Sequence, residues 1–301
     1  MIVLNYLLYY FFIIPVSLLP FRALYIVSDF LFIILYRVFG YRTKVVQMNL
    51  RNSFPEKPRE ELQKIESLFY HHLCDVIVET FKSFTISSKE IRKRMILLNP
   101  ELADKYFAQG RSVLLAGGHY NNWEWIATSL NQQIKHMAVA IYTPLSNPFF
   151  EKKMRRTRGK FGLKMIPIKN VTSFFEESKD QLTATVFGID QSPRHPDRCH
   201  WMKFLNQDTG VMFGVEKYAK ALNYPVIFCN INKVKRGYYT YQFSLLTDQP
   251  GEEQKGEIIE SATQLLEKQI IALPQYWLWT HKRWKHKRPS QKTNPPDTNP
   301  A

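Results

Sequence analysis

The stretch Ser112-Val113-Leu114-Leu115-Ala116-Gly117-Gly118-His119-Tyr120-Asn121-Asn122-Trp123-Glu124 decides the fold. Its first five residues form a short apolar run that stops at two glycines, the pattern of a buried parallel strand entering a tight turn. A histidine follows just beyond the strand's carboxyl end, where open α/β sheets place their active sites. Asn121 or Asn122 can cap the next helix, whose first turn then carries Glu124. From there the carboxylate can reach back to one imidazole nitrogen while the other faces substrate, orienting the ring and stabilising its protonated form. No serine or cysteine nucleophile stands beside the pair, so such a dyad would activate an external hydroxyl directly. The same residues also read as an ordinary turn with a satisfied histidine and an exposed glutamate.

Outward from this segment, apolar runs of strand length lie at 137–142, 164–168, 183–189, 225–231 and 239–246. Helical spacing fills 147–161, 171–181, 211–221 and 257–271 between and after them. The alternation predicts an α/β fold with a mixed, mainly parallel central sheet flanked by helices and joined by right-handed crossovers. Residues 58–82 place Leu62, Ile65, Phe69, Leu73 and Val76 on one helical face that must pack on the rest.

The two ends differ from this pattern. Between Met1 and Tyr36 the only formally charged side chains are Arg22 and Asp29, so the segment needs an apolar environment. Residues 2–20 approach the ~20 required to cross a bilayer, and 23–36 are marginal, which suggests one span plus an interfacial or docked helix. Two core helices of a soluble protein are the alternative, because the tyrosines and Asp29 weaken insertion. The chain lacks the basic start and small-residue cleavage site of a secretory signal, so a retained anchor is expected. Arg37, Arg42, Lys44 and Arg51 follow with no acidic residue before Glu56, which places the following domain on the cytoplasmic side. The expected organisation is an anchor over 1–40, a catalytic domain over 41–288 and a disordered tail over 289–301.

A net charge of +15 calls for anionic partners but does not choose between phospholipid, a phosphorylated substrate, an acidic carrier protein and nucleic acid. Nucleic acid leaves the apolar N-terminus unexplained and is not an expected partner. Cations crowd at Lys152, Lys153, Arg155, Arg156, Arg158 and Lys160, and again from Lys282 to Arg288, beside Trp277, Trp279 and Trp284. These tryptophans could sit at a membrane interface or pack in the core. Cys74, Cys199 and Cys229 show no paired spacing, and the run His195-Pro196-Asp197-Arg198-Cys199-His200 lacks the second pair that a tetrahedral metal site needs, so no metal is expected.

Further blocks stand in a recognisable order: Asn49-Leu50, Phe54-Pro55-Glu56, the His119 segment, Tyr142-Thr143-Pro144-Leu145-Ser146-Asn147-Pro148, Arg158 followed by Gly162, Asp190-Gln191, Phe204 onward to Gly210, Pro225-Val226, and Gln275-Tyr276-Trp277-Leu278-Trp279-Thr280-His281-Lys282-Arg283-Trp284. Over residues 40–285 the chain thereby resembles the bacterial lipid A biosynthesis (late) acyltransferases of the lauroyl/myristoyl type. These belong to the glycerolipid acyltransferase group, marked by His, four residues, then Asp or Glu, as in His119 to Glu124. The resemblance implies that group's fold with a membrane anchor, at the bacterial inner membrane. It implies transfer of a fatty acyl chain from an acyl carrier protein thioester, or an acyl-CoA, to a hydroxyl of an anionic lipid A precursor, without a cofactor or a covalent acyl-enzyme. In that reading His119 is the general base, Glu124 orients it, and Arg158, Asp190, Asn122 and Arg155 assist substrate binding. A lysophospholipid, amino-acid lipid or glycolipid acceptor would use the same dyad. Thr143 stands where relatives often carry Arg, and the sequence does not identify an oxyanion donor.

Overall fold

The apolar runs found in the sequence become the centre of a seven-stranded sheet in the computed structural model, which describes residues 2–289. The strands are β1 (Met95–Leu97), β2 (Val113–Gly117), β3 (Met137–Tyr142), β4 (Lys164–Pro167), β5 (Thr183–Gly188), β8 (Val226–Lys235) and β9 (Tyr238–Thr247), in the order β1-β9-β8-β2-β5-β3-β4. Strands β4, β3, β5, β2 and β8 run parallel, as helical crossovers require. The β8–β9 pair is antiparallel because only Arg236 and Gly237 separate the strands, and Gly237 takes φ +74°, open to glycine at no steric cost. A hairpin of β6 (His200–Phe204) and β7 (Gln207–Val211), not anticipated from the sequence, lies outside the sheet.

Register divides the apolar side chains between two faces. Leu115, Val186, Ala140 and Met165 lie side by side on one face, with Trp125, Ile126 and Leu130 of the helix Trp123–Ser129 and its end packed over them. Ala116, Phe187 and Ile141 point to the other, beneath the helices Val171–Glu177, Gly214–Leu222 and Glu257–Ala272. Burial on both sides explains why these strands are continuously apolar rather than alternating.

The helix Arg59–Lys82 buries the predicted stripe of Ile65, Phe69, Leu73 and Val76, with Leu62 partly buried. The N-terminal apolar segment docks against this helix. Tyr9 in the helix Val3–Leu18 meets Phe84 and Phe149 edge-on, and Lys82 donates to the Ser17 and Leu19 carbonyls at 2.9 and 2.7 Å. Leu24 and Ser28 of the helix Phe21–Phe32 are fully buried there. Among the described residues no single helix is long and apolar enough to cross a membrane; Phe21–Val38 with Thr43–Ser53 would do so only as a pair bent by 85°. The outer faces of both N-terminal helices remain apolar, with Phe11, Ile26, Phe30, Val38 and Phe39 exposed. Apart from residue 289, the expected disordered tail lies outside the described residues.

Trp277 and Trp279 resolve to the core, 1% and 0% exposed, with Trp284 stacked alongside Phe204. Not all of the clustered cations are free for anionic partners. Lys160 donates to the Ser83 and Ile86 carbonyls, and Arg283 is buried and donates to the Gly210 carbonyl.

Candidate active site

Strand β2 delivers the chain to Gly118, whose Cα packs so tightly that a Cβ would stand 2.6 Å from Leu266. The next residue, His119, lies beside the end of β5 because Gly117 pairs with Gly188 and the Gly117 carbonyl accepts from the Ile189 amide at 3.0 Å. This register brings Asp190 to the imidazole. Oδ1 of Asp190 lies 2.7 Å from His119 Nδ1, and Oδ2 accepts from the His119 backbone amide at 2.7 Å and from Trp277 Nε1 at 2.8 Å. Asp190 is only 5% exposed.

A carboxylate on Nδ1 fixes the tautomer: the proton sits on Nδ1, and Nε2 carries the free lone pair. Nε2 meets the Gln191 side-chain amide at 3.3 Å and opens onto a cavity, while Trp123 packs edge-on against the ring at 5.3 Å. Burial alone would push the imidazole toward its neutral form. The charge and hydrogen bond of Asp190, helped by the charge of Glu124, reverse that and hold its pKa above the ordinary value. Burial likewise disfavours the Asp190 carboxylate, but His119 and the Trp277 donor hold it well below the usual carboxylate range. An imidazole so oriented, with one basic nitrogen facing a cavity, can take a proton from a hydroxyl bound there.

The structure corrects the expected dyad. Glu124 is in the first turn of its helix as read from the sequence, but its two oxygens accept from Arg158 Nη2 at 2.7 Å and Nε at 3.0 Å. A guanidinium presents two parallel donors that match a carboxylate, and the His119 ring already has its partner in Asp190. Glu124 therefore acts on His119 through its charge, not through a hydrogen bond.

Asn122, expected to touch substrate, is 0% exposed and fully occupied. Its Oδ1 accepts from the Trp125 amide, capping the helix, and its Nδ2 donates to Glu79 at 2.6 Å. Asn121 makes the turn, with φ +52° in the left-handed region that asparagine tolerates. Arg155 is exposed on the helix Pro148–Gly159 and lies outside the cavity lining, whereas Arg158 lines it. Asp190, also expected among the substrate contacts, spends its carboxylate on His119 and Trp277.

The cavity measures about 430 Å³ and is lined mainly by apolar side chains. One part runs down the face of the sheet under the helix Trp123–Ser129, past Leu115, Ala140, Val186 and Cys229 to Leu130 and Met165. Three features of the site are not foreseen by the sequence pattern: Asp190 as the imidazole's partner, Gln191 on Nε2, and Trp277 behind Asp190. The signal that could have found them is the Asp190-Gln191 pair directly after a strand, the position His119 holds after its own strand.

The chain belongs to the bacterial lipid A biosynthesis acyltransferase family, whose model matches residues 2–286. A comparison with curated proteins gives no match. Family membership makes the protein an acyltransferase of lipid A biosynthesis.

Proposed function

We propose that the protein moves a fatty acyl chain from an acyl carrier protein thioester to a hydroxyl of a lipid A precursor, with His119 as general base oriented by Asp190. The observation that carries this reading is His119 itself: Nδ1 is held by a buried carboxylate, and Nε2 faces an apolar cavity with no nucleophile among the described residues hydrogen-bonded to it. The acceptor hydroxyl gives its proton to Nε2 as its oxygen attacks the thioester carbonyl. The tetrahedral intermediate then collapses, the C–S bond breaks, and the imidazolium gives its proton to the departing thiolate, which leaves as the carrier's thiol and returns His119 to its neutral form.

Charge develops on the carbonyl oxygen during attack, and the Gln191 amide beside Nε2 is a side-chain donor placed to meet it. A hydroxyl bound to Nε2 sits roughly 2.6–3.2 Å from it, and an amide 3.3 Å from the same nitrogen can turn toward the adjoining oxyanion. The Glu124–Arg158 pair at the cavity wall keeps a guanidinium at hand for an anionic group of either substrate. The deep apolar arm, closed below by Leu130 and Met165, suits the acyl chain. Phe11, Ile26, Phe30 and Phe39 form an apolar surface that supports docking to the inner membrane, and Arg155 and Arg156 offer exposed charge to lipid headgroups or an acidic carrier. The basic stretch after the N-terminal helices supports the cytoplasmic side.

Detergent-solubilised protein, given a carrier-protein thioester and a lipid A precursor, should add one acyl mass to the precursor. His119→Ala should lower the rate about a hundredfold or more while the protein remains folded. Transfer only to another lipid would overturn the acceptor, and an active His119→Ala variant would overturn the mechanism.

A further inference from the structure

The loop between β5 and β6 carries both Asp190 and Gln191, and it holds them very differently. Asp190 is buried with its carboxylate fully engaged, whereas Gln191 is exposed and its side-chain amide meets His119 Nε2. From residue 190 to residue 194 the backbone makes one hydrogen bond among the described residues, from the Ser192 amide to His281 Nε2 at 3.0 Å. The Ser192 hydroxyl is buried without a partner and adds no second tie. Ordering a residue's backbone costs about 1–2 kcal/mol, so the bond at Ser192 bears directly on how its neighbour Gln191 is presented.

His281 is itself set from both sides. Its amide donates to the Leu278 carbonyl at 3.1 Å, and its carbonyl accepts from Asn49 Nδ2 at 3.1 Å. Asn49, buried in the helix Thr43–Ser53, also donates to the Trp279 carbonyl at 2.9 Å, and Arg42 donates to the Thr280 carbonyl at 3.0 Å. The same segment aims Trp277 at Asp190. Trp277 and His281 therefore grip the chain at 190 and 192, on either side of Gln191. To accept from an amide, Nε2 of His281 must be bare, so the imidazole is neutral with its proton on Nδ1. Burial keeps it so by lowering its pKa; the charge of Asp190 opposes this, and Arg283, His119 and Lys285 reinforce it.

We propose that His281 is a positioning residue, its Nε2 fixing Ser192 so that the Gln191 amide stays beside His119 and meets the developing oxyanion. This rests on the acyl-transfer reading above, in which Gln191 supplies that donor. His281 does not line the cavity and acts through the loop.

The test is a double-mutant cycle on kcat and KM, joined to amide hydrogen exchange. His281→Leu removes the acceptor at similar bulk and leaves the Ser192 amide unpaired, whereas His281→Gln offers an oxygen near the place of Nε2. Gln191→Ala should lower kcat about a hundredfold, the scale of one lost oxyanion donor. His281→Leu should lower kcat about tenfold or more and leave KM for both substrates within about threefold, since the donor acts on the transition state. In the Gln191→Ala background the same substitution should cost less than about threefold, because it acts through a group already gone. His281→Gln should restore most of the rate. Exchange in the peptide spanning Ser192 should quicken about tenfold or more in His281→Leu and not in His281→Gln. Additive losses in the cycle, a full rate in His281→Leu or in Gln191→Ala, or exchange that ignores His281→Leu would overturn the proposal. A wild type that transfers no acyl group to any acceptor, while exchange responds as expected, would instead sink the acyl-transfer reading and still support the hold of His281 on the loop.

Discussion

Asp190 and Glu79 are both buried carboxylates, 5% and 0% exposed, and each receives three hydrogen bonds. Those of Asp190 come from the His119 ring, the His119 amide and Trp277; those of Glu79 come from Tyr25 at 2.7 Å, Asn122 at 2.6 Å and Tyr239 at 2.9 Å. Their ionisation nevertheless goes in opposite directions. Asp190 is held well below the usual range because its principal partner can carry a positive charge. Glu79 is pushed up to about 7, first by burial and then by the charge of Asp75, and its three donors are all neutral. The charge of the partners, not the number of hydrogen bonds, decides which carboxylate stays ionised. One is equipped to support a reaction. The other ties together the helix Phe21–Phe32, the helix Arg59–Lys82, β9 and the cap of the helix bearing Glu124.

The sharpest way to break this contrast is Asp190→Asn. It should cost about a thousandfold or more in kcat/KM, since the imidazole loses both its orientation and its counter-charge. The pH profile supplies a second reading. The base must be neutral, so the acid limb in wild type should lie above the ordinary histidine value; with the carboxylate gone, burial dominates and the limb should move down. A limb that stays put would mean that Asp190 does not face the working imidazole.

Glu79→Ala should act on stability more than on chemistry. It strands three buried donors and should lower unfolding free energy by about 3 kcal/mol, read from urea denaturation. A smaller loss in Glu79→Ala than in an exposed control such as Glu252→Ala would remove its role as a tie.

Glu79→Gln sharpens the contrast with pH. The folded state prefers Glu79 protonated, so the native form binds more protons than the unfolded chain between pH ~4.5 and about 7. The contribution of Glu79 is therefore most favourable at low pH and is lost as pH rises through that window, by roughly 3 kcal/mol in all. The amide variant should flatten that part of the stability curve, whereas Asp190, whose folded value is depressed, contributes in the opposite sense and loses its contribution only as pH falls into the acid range.

The smallest effect is expected from Glu124→Gln, which keeps the shape of the ion pair and removes its charge. About a tenfold drop in kcat/KM, without the large change in pH profile seen for Asp190→Asn, would match a residue that acts on His119 through charge alone. A loss as deep as that of His119→Ala would restore Glu124 to the reacting centre.

Much of this arrangement is legible in local sequence. The apolar run into Gly117-Gly118 specifies a parallel strand and its turn, the alternation of strands and helices specifies the α/β class, and Asn122 reads as a possible cap, which it is. The position of His119 at a strand end follows from the same local rules. The partner of His119 does not. Glu124 is close in sequence and Asp190 is 71 residues away, and local spacing favours the nearer carboxylate.

The sequence by itself determined most strands of the central sheet and the helices between them, that His119 stands at a strand end, and that the N-terminal segment must meet an apolar environment, because each depends on the periodicity and side-chain chemistry of neighbouring residues. Only the tertiary structure decided that Asp190 holds the ring, that Arg158 claims Glu124, and that Asn122 and Glu79 form a buried tie. The physical reason is strand order: β5 pairs with β2 across a gap that no local pattern encodes, and the cost of burying a charge is offset only by partners that this pairing brings from distant parts of the chain.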